Sequence, residues 1–330
     1  MKKELAGFST EIDFVEDNEF PELGKIFVID SKLKEIYPKK ISTIIKNKSF
    51  LSLEVTEANK NMKNLQKILD FFLKNEITRE DTVVAVGGGI VTDMTALAAS
   101  LYLRGCKLAF VPTTLLAMVD AAVGGKTAIN FRGYKNNLGS FYPANKIILD
   151  LDFLRNLPAK EFDNGFIEIK KIAILKNNGL LEMINKEAPL ANIIQKAINT
   201  KLDLCKKDLT DRGVRRFLNL GHTFAHVIET ASNFKIPHGL AVAKGILLAA
   251  GYSLLLRKIS ETELEKISTL FAEYELPDFP IIDFPKFQTI ISKDKKKGKN
   301  VNLVLLKGLY KPFLFYDTNI QTLYNFIYEK

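Results

Sequence analysis

What the sequence has little of narrows the class of protein first. Two cysteines are too few for a disulfide framework, so we expect a chain that works in a reducing compartment. The start, MKKELAGFSTEIDF, has no apolar segment behind its lysines and does not resemble a signal peptide. The two most apolar stretches, 83–103 and 239–256, are interrupted by Asp93 and Lys244, which disfavours a membrane span. These absences predict a soluble protein.

The composition is that of an ordinary globular chain. Its 330 residues, 47% hydrophobic and 26% charged, suffice for two domains with full-sized cores. Forty-seven basic residues against 38 acidic ones leave a net charge of +9. The sequence shows no basic arm, zinc-knuckle spacing or aromatic-basic RNA signature, so we expect no nucleic-acid partner. A phosphorylated small substrate would suit a positive field equally well.

The first half alternates strand and helix patterns. Runs rich in β-branched residues predict strands at 25–30, 50–55, 82–86 and 108–111, and helical spacing is clear at 61–74 and 94–103. This rhythm is typical of βαβ units around a parallel sheet. Beyond about residue 150 the patterns become helical, and one late hairpin strand is predicted at 301–306. We therefore expect an α/β domain over residues 1–155 and a mainly helical domain over 156–330. The predicted helices of the second half span 160–175, 190–206, 214–232, 239–258 and 261–274.

A glycine run follows one of the predicted strands. Gly87, Gly88 and Gly89 lie between a strand and a helix, where a backbone without Cβ atoms can approach a pyrophosphate and a helix N-terminus supplies N–H donors. A tight turn that needs glycine for its conformation explains the same run, and both readings stay open. GGKT at 124–127 is not a P-loop, because Asp120 stands where that motif has its first glycine.

The chain has only three histidines, and all fall within 17 residues. His222 and His226 are four apart and share a helix face, and His238 opens the next helical pattern. Two or three imidazoles with a carboxylate make a zinc site with an open position, and Glu168 is a candidate for that carboxylate. Thr223 occupies the glutamate position of H-E-x-x-H, which disfavours a metalloprotease. Capping or core histidines remain the alternative, as does a solvated surface pair for Glu168 and its helix neighbour Lys171.

Seven motifs together resemble the 3-dehydroquinate synthase family of sugar phosphate cyclases. In order they read VVAVGGGIVTD, LYLRG, VPTTLLAMVDAAVGGKTAIN, YKNNLGSFY, LPAKEFDNGFIEIKK, RRFLNLGHTFAH and HGLAVAKG. The resemblance runs from about residue 57 to 299. It implies a Rossmann-like α/β NAD-binding domain followed by an all-helical metal-binding domain, in a cytoplasmic homodimer. It also implies conversion of 3-deoxy-D-arabino-heptulosonate 7-phosphate to 3-dehydroquinate and phosphate, the second step of the shikimate pathway.

The resemblance assigns roles position by position. It implies metal ligation, by zinc or cobalt, at Glu168, His222 and His238. Residues implied in catalysis are His226, Lys171, Arg215, Asn219, Lys126 and Asp120. Substrate contacts are implied at Arg104, Lys126, Asn136, Lys171, Lys201, Arg215, Leu218, Asn219, His226, Lys295 and Lys296. Nucleotide contacts are implied at Asp30, Glu57, Lys60, Gly87, Gly88, Gly89, Ile90, Val91, Thr92, Asp93, Thr113, Thr114, Asp120, Lys126, Lys135, Phe153 and Asn156.

The chain departs from the family pattern at four positions. Thr92 and Ala225 replace glycines, Lys32 stands where an asparagine is common, and Leu240 replaces a glutamate beside His238. No implied metal ligand is missing. Two other enzymes remain as alternatives, a sister cyclase acting on sedoheptulose 7-phosphate or glucose 6-phosphate, and a glycerol-dehydrogenase-like NAD and metal oxidoreductase. The GGKTxxN and KNxxG motifs speak against the second of these.

Overall fold

A computed structural model describes residues 2–5, 8–15, 20–294 and 300–329. The chain divides into two compact units, which are described separately. Unit 1 comprises Met1–Phe162 with Lys201–Thr210, and unit 2 comprises Asp163–Thr200 with Asp211–Lys330.

Unit 1 is built on a seven-stranded sheet in the order β1-β2-β9-β6-β5-β3-β4, and a separate antiparallel hairpin pairs β7 with β8. All neighbours in the sheet are parallel except β1 and β2. The strands are β1 Lys2–Leu5, β2 Phe8–Phe14, β3 Ile26–Asp30, β4 Ser49–Leu53, β5 Thr82–Gly87, β6 Lys107–Pro112, β7 Lys126–Phe131, β8 Tyr134–Phe141 and β9 Lys146–Leu149. The helices of this part of the chain are α1 Leu33–Ile36, α2 Pro38–Ile45, α3 Met62–Lys74 and α4 Gly89–Leu101.

The burial of the central strands explains why the sequence pattern predicts them. Strands β3, β5 and β6 are buried almost throughout, which is why they appear in the sequence as continuous apolar runs rather than alternating ones. The predicted parallel βαβ arrangement is confirmed. Helix α4 begins at Gly89, five residues before the predicted start, because Gly88 adopts the extended N-cap conformation directly after the strand.

Unit 2 is largely helical but not all-helical. Its helices, with those that lie partly in unit 1, are α5 Ala159–Leu175, α6 Leu180–Asn185, α7 Leu190–Lys207, α8 His222–Ala231, α9 His238–Leu255, α10 Glu261–Thr269, α11 Phe284–Asp294 and α12 Ile320–Tyr328. The predicted late strand is β10 Asn300–Leu306, and it pairs antiparallel with β11 Pro312–Asn319, which the sequence pattern did not predict.

One predicted helix is two elements. The pattern at 214–232 is a 3-10 turn, Val214–Asn219, followed by α8. Gly221 separates them with a left-handed φ of 81°, a conformation that ends one helical segment and starts the next. Helix α9 is long and apolar enough to pass as a membrane span by length and composition, but 56% of that window is buried inside the structure. It packs on α8, α10 and β10, as a core helix does.

Candidate active site

The candidate metal site of unit 2 lies where three helices converge. Glu168 on α5, His222 at the start of α8 and His238 at the start of α9 each offer one ligand atom, and these atoms lie within 4.8 Å of one another. Nε2 of His222 is 3.8 Å from Glu168 Oε1, and Nε2 of His238 is 3.5 Å from the same oxygen. The structure therefore brings together the three residues for which the sequence predicts metal ligation.

Two close backbone contacts bring these helices together. A Cβ on Gly245 of α9 would lie 2.1 Å from the carbonyl oxygen of Gly221, directly before α8, so only glycine allows this approach. A Cβ on Gly239 would lie 2.6 Å from Cα of Asn164, one helical turn before Glu168 on α5. The Gly239 N–H donates to Asn164 Oδ1 at 2.7 Å. These contacts place the first turns of α8 and α9 beside Glu168.

Glu168 is completely buried, and its two oxygens face different partners. Lys171, itself 2% exposed, forms an ion pair with Oε2. Oε1 faces the two histidine rings and has no hydrogen-bond partner within the described part of the chain. Burial by itself raises the pKa of the Glu168 carboxyl. Lys171 and the two histidines lower it by more than burial raises it, so that the pKa lies well below its usual range. The carboxylate is therefore ionised, with one oxygen open to a cation.

The two histidines are in different electrostatic surroundings. Burial, reinforced by the Lys171 charge, lowers the pKa of His222 to about 3, so its ring is neutral. Burial also lowers the pKa of His238, but the negative charges of Glu168 and Glu229 beside its ring raise it more, to about 10. His238 thus lies between two carboxylates, and a cationic group is needed there to balance them.

The donor set fits a zinc or cobalt ion. One carboxylate oxygen and two imidazole nitrogens are the ligands of a catalytic zinc site that keeps a further position open. Cobalt accepts the same ligands. The unpartnered Oε1 of a fully buried carboxylate is the observation that favours an ion here, since a buried charge is costly unless it is paired or bound to a metal.

His226 and three further implied residues also lie in unit 2. The ring centroid of His226 is 6.0 Å from that of His222, one turn further along the same helix face. Arg215, Leu218 and Asn219 belong to the 3-10 turn before α8, where Arg215 is 1% exposed and Asn219 half-buried. All three histidines thus cluster, two in the ligand triad and one beside it.

The candidate nucleotide site of unit 1 lies at the carboxyl end of the sheet. From β3 the chain passes to β4 on one side, and then to β5 on the other side of β3. Such a reversal of strand order opens a crevice at the ends of the two strands, where α/β proteins bind nucleotides. Asp30 ends β3 and Gly87 ends β5, and a Cβ on Gly87 would be 3.4 Å from Cβ of Asp30. Thr113 follows the next strand and donates its N–H to Gly87 O at 3.1 Å.

The glycine run begins helix α4 without a side-chain cap. Gly88 is the N-cap and offers no side chain to the first N–H groups of the helix. A Cβ at Gly88 would be 3.3 Å from Thr114 Cγ2, and one at Gly89 would be 3.1 Å from Ala121 Cβ. Thr92, which replaces a glycine of the family pattern, is buried and donates its hydroxyl to Gly89 O at 3.0 Å. Its side chain therefore turns back onto the helix.

Lys60 connects several implied residues of unit 1. Its Nζ lies 2.5 Å from Asp93 Oδ2 and 2.5 Å from Asn136 Oδ1. Burial raises the pKa of Asp93 more than Lys60 lowers it. Glu57 accepts a hydrogen bond from Asn130 Nδ2 at 2.7 Å, and the Asn130 N–H donates to Lys60 O. These bonds tie the 3-10 turn at 57–59 to the hairpin β7–β8.

Asp120 and Lys201 form a second charged contact in unit 1. Asp120 lies on a single π-helical turn, Ala117–Ala121, a form common at functional sites. Lys201 Nζ is 2.5 Å from Asp120 Oδ1 and 2.6 Å from its carbonyl oxygen. Asp120 also contributes to the raised pKa of Asp93, which lies on α4 just after the glycine run. Lys201, which contacts Asp120, therefore lies in the same part of unit 1 as the glycine run.

The remaining implied residues differ in exposure. Phe153 is 1% exposed and packs edge-on against Tyr37, with ring centroids 5.1 Å apart. Lys295 and Lys296 lie outside the described residues. Among the implied residues of unit 1, five have exposed side chains, those of Arg104, Lys126, Lys135, Asn136 and Asn156.

Sequence reasoning missed two polar residues that organise the metal site. Asn164 holds the first turn of α9, and Glu229 contacts His238 Nδ1 at 3.2 Å. For Glu229 a signal was present, because it follows His222 by seven residues on one helix and so lies on the same face two turns later. For Asn164 no comparable spacing exists.

Comparison with known proteins agrees with this geometry. Residues 50–164 match the family described as 3-dehydroquinate synthase N-terminal, and residues 165–297 match 3-dehydroquinate synthase C-terminal. A 3-dehydroquinate synthase of Campylobacter concisus is 34% identical over 315 residues, covering 92% of this chain and 91% of that protein.

Two solved structures share the fold. One is a 2-epi-5-epi-valiolone synthase from Streptomyces hygroscopicus with NAD+ and Zn2+ bound (TM-score 0.86, 24% identity, 98% and 96% of the chains). The other is a 2-deoxy-scyllo-inosose synthase complexed with carbaglucose-6-phosphate, NAD+ and Co2+ (TM-score 0.86, 22% identity, 100% and 99%). The family matches and the curated relative show that this chain belongs to the 3-dehydroquinate synthase family.

Proposed function

We propose that this chain is a 3-dehydroquinate synthase, which converts 3-deoxy-D-arabino-heptulosonate 7-phosphate to 3-dehydroquinate and phosphate. The observation that carries the proposal is the buried carboxylate of Glu168, whose free oxygen faces two histidine rings in a chain of this family. We place the enzyme in the cytoplasm as a homodimer, and analytical ultracentrifugation of the purified protein tests the dimer.

Glu168, His222 and His238 would hold the metal ion, zinc or cobalt. When bound, it supplies Lewis acidity that polarises substrate hydroxyls. Lys171 keeps Oε2 of Glu168 occupied, so that the carboxylate presents one oxygen to the ion rather than two. His226 lies beside the ligands and is our candidate to move a proton on the substrate.

The crevice between the ends of β3 and β5 would hold the nucleotide. When bound, NAD would supply a hydride acceptor that takes a hydride from the substrate and returns it after phosphate β-elimination, so that the overall reaction, which ends in an intramolecular aldol closure, would involve no net oxidation. The uncapped N–H groups at the start of α4 suit the pyrophosphate. Asp30 at the end of β3 is in the position from which a carboxylate accepts hydrogen bonds from the ribose hydroxyls.

Basic and amide side chains would bind the carboxylate and phosphate of the substrate. Lys201 is held by two oxygens of Asp120 and so keeps a fixed position. A charge that is already in place orients an anionic substrate at lower entropic cost than a mobile one. The substrate contacts that we propose are Arg104, Lys126, Asn136, Lys171, Lys201, Arg215, Leu218 and Asn219, with Lys295 and Lys296.

The proposal is tested by incubating zinc-loaded protein with NAD and the heptulosonate phosphate. We expect equimolar release of phosphate and formation of 3-dehydroquinate, with no net NADH. A parallel reaction contains sedoheptulose 7-phosphate in place of the first substrate. Turnover of only the second substrate would make the protein a sister cyclase, and turnover of neither would refute the proposal.

A further inference from the structure

His238 is the imidazole that faces a carboxylate with each of its ring nitrogens. Nε2 lies 3.5 Å from Glu168 Oε1, and Nδ1 lies 3.2 Å from Glu229 Oε1. A neutral imidazole has one N–H donor and one acceptor nitrogen. We propose that Glu229 is a positioning residue, which holds the proton of His238 on Nδ1 and thereby directs the Nε2 lone pair to the metal. This inference rests on the metal site of the proposed function.

The other histidine ligand is oriented by a weaker partner. Nδ1 of His222 lies 3.3 Å from the carbonyl oxygen of Leu220. A carbonyl fixes the tautomer without adding charge, whereas a carboxylate also makes the ring more basic and so a stronger ligand. The two rings therefore present the same nitrogen to Glu168 but differ in the group behind them. We expect the metal affinity to depend on Glu229 through His238.

Glu229 is placed for this role by the packing of α8. It is 7% exposed, and a carboxylate so buried is costly unless a hydrogen-bond donor meets it. Leu240, half-buried on α9, stands where the family pattern has a glutamate near His238. In this chain the carboxylate behind the ring is that of Glu229 on α8.

The backbone and the ring of His238 are fixed by separate contacts. Asn164 accepts from the N–H of Gly239, which sets where the first turn of α9 lies. Glu229 contacts the ring itself, which sets its rotation and its tautomer. Substitution of Glu229 should therefore change the ligand without moving the helix.

The decisive measurement is the dissociation constant for zinc, by competition with a chromophoric chelator. We expect Glu229→Ala to weaken zinc binding by about 10- to 100-fold, as loss of a partner behind a ligating histidine does. Glu229→Gln keeps an oxygen that accepts from Nδ1 but lacks the charge, so a smaller loss is expected. The intermediate position of the Gln variant separates tautomer control from the added basicity.

A spectrum of the ring nitrogens gives a readout independent of affinity. Because the chain has only three histidines, a long-range proton–nitrogen spectrum of 15N-histidine-labelled protein contains three rings, and His226→Ala, which should keep zinc, identifies the ring that is not a ligand. Zinc-loaded wild type should show a slowly exchanging Nδ1 proton on His238. In Glu229→Ala this proton should exchange with water and its signal should be lost.

Ser253→Ala is the control for a merely structural effect. Ser253 is fully buried near the other end of α9, where its hydroxyl donates to Ala249 O at 2.7 Å and accepts from Leu306 N at 3.1 Å. This variant should lower the melting temperature and keep the zinc affinity of wild type.

The outcomes distinguish this inference from the proposed function. Equal zinc affinity and an unchanged His238 signal in both Glu229 variants would overturn the positioning role alone. A wild-type protein that binds no zinc would remove the metal centre, and the positioning role with it. Zinc binding that depends on Glu229 in a protein without synthase activity would support the positioning role and refute only the assigned reaction.

Discussion

Buried carboxylates are paired differently in the two units, and the difference separates structure from function. In unit 1, the buried carboxylate of Asp150 lies 2.5 Å from Lys40 Nζ, which is also 3.2 Å from Asp152 Oδ2. In unit 2, Lys171 pairs with one oxygen of Glu168 while the other oxygen faces two imidazoles. In unit 1, side chains of the same unit balance these charges. Around Glu168 the balance calls for an added cation.

The largest effect should come from removing a ligand of that cation. We expect His222→Ala to abolish stoichiometric zinc binding and to lower kcat/KM by on the order of 10³-fold or more, since both the polarising ion and its position are lost. Zinc content by atomic absorption and phosphate release measure the two effects. A variant that kept its metal and its full rate would exclude His222 as a ligand.

His226→Ala is the matched comparison, because it removes an imidazole from the same helix face. We expect this variant to retain zinc and to lose about 10²- to 10⁴-fold in rate, the usual worth of a positioned proton donor or acceptor. Loss of zinc in this variant would show that the metal lies between His222 and His226 rather than between His222 and His238.

The internally balanced pairs of unit 1 should respond as structural elements. Lys40 is 9% exposed and Asp150 4% exposed, so Lys40→Ala leaves a buried carboxylate whose main counterion is gone. We expect a loss of about 3–5 kcal/mol in the free energy of opening, read from hydrogen exchange of amides in β3 and β9.

Lys48→Ala is the control for this prediction. Its ion pair with Glu22 is exposed, with side chains 39% and 81% accessible, and should contribute no more than about 1 kcal/mol. Equal losses of opening free energy in the two lysine variants would mean that burial does not determine how much these ion pairs contribute. The contrast drawn between the buried carboxylates of the two units would then be wrong.

Zinc itself should stabilise one unit and not the other. At a free zinc concentration 100 times its dissociation constant, bound zinc should raise the free energy of those local unfolding events that release the ion by about 2.7 kcal/mol. Hydrogen exchange with and without zinc should place this gain in the amides of α8 and α9. A matching gain across the sheet of unit 1 would show that the units open together.

The sequence predicted unit 1 better than the details of unit 2. Its central strands are buried on both faces, and such strands are visible as apolar runs even without a template. The strand order, and hence the crevice beside Asp30, depends on pairings between distant segments that no local pattern contains. The edge strand β1 and its neighbour β2 were not predicted, because half-buried strands have no such run.

In unit 2 the ligand types were predictable, but their arrangement was not. Three histidines in a short window, with the family resemblance, indicated the metal site. The contacts of Gly245 with Gly221 and of Gly239 with Asn164 bring them together. A glycine within a helical sequence pattern does not indicate which backbone segment it will contact. Glu229 was overlooked because its partner, His238, lies on another helix.

The smallest expected effect concerns Thr92, where the chain departs from the glycine of its family. Its hydroxyl donates to Gly89 O and its side chain is buried within α4. Thr92→Gly should therefore lower the opening free energy of α4 by about 1 kcal/mol, from lower helix propensity and one lost buried methyl group. NAD affinity, measured by calorimetric titration, should not change, because the threonine side chain turns onto the helix and away from the first N–H groups. A clear gain in NAD affinity would show instead that Thr92 obstructs the pyrophosphate.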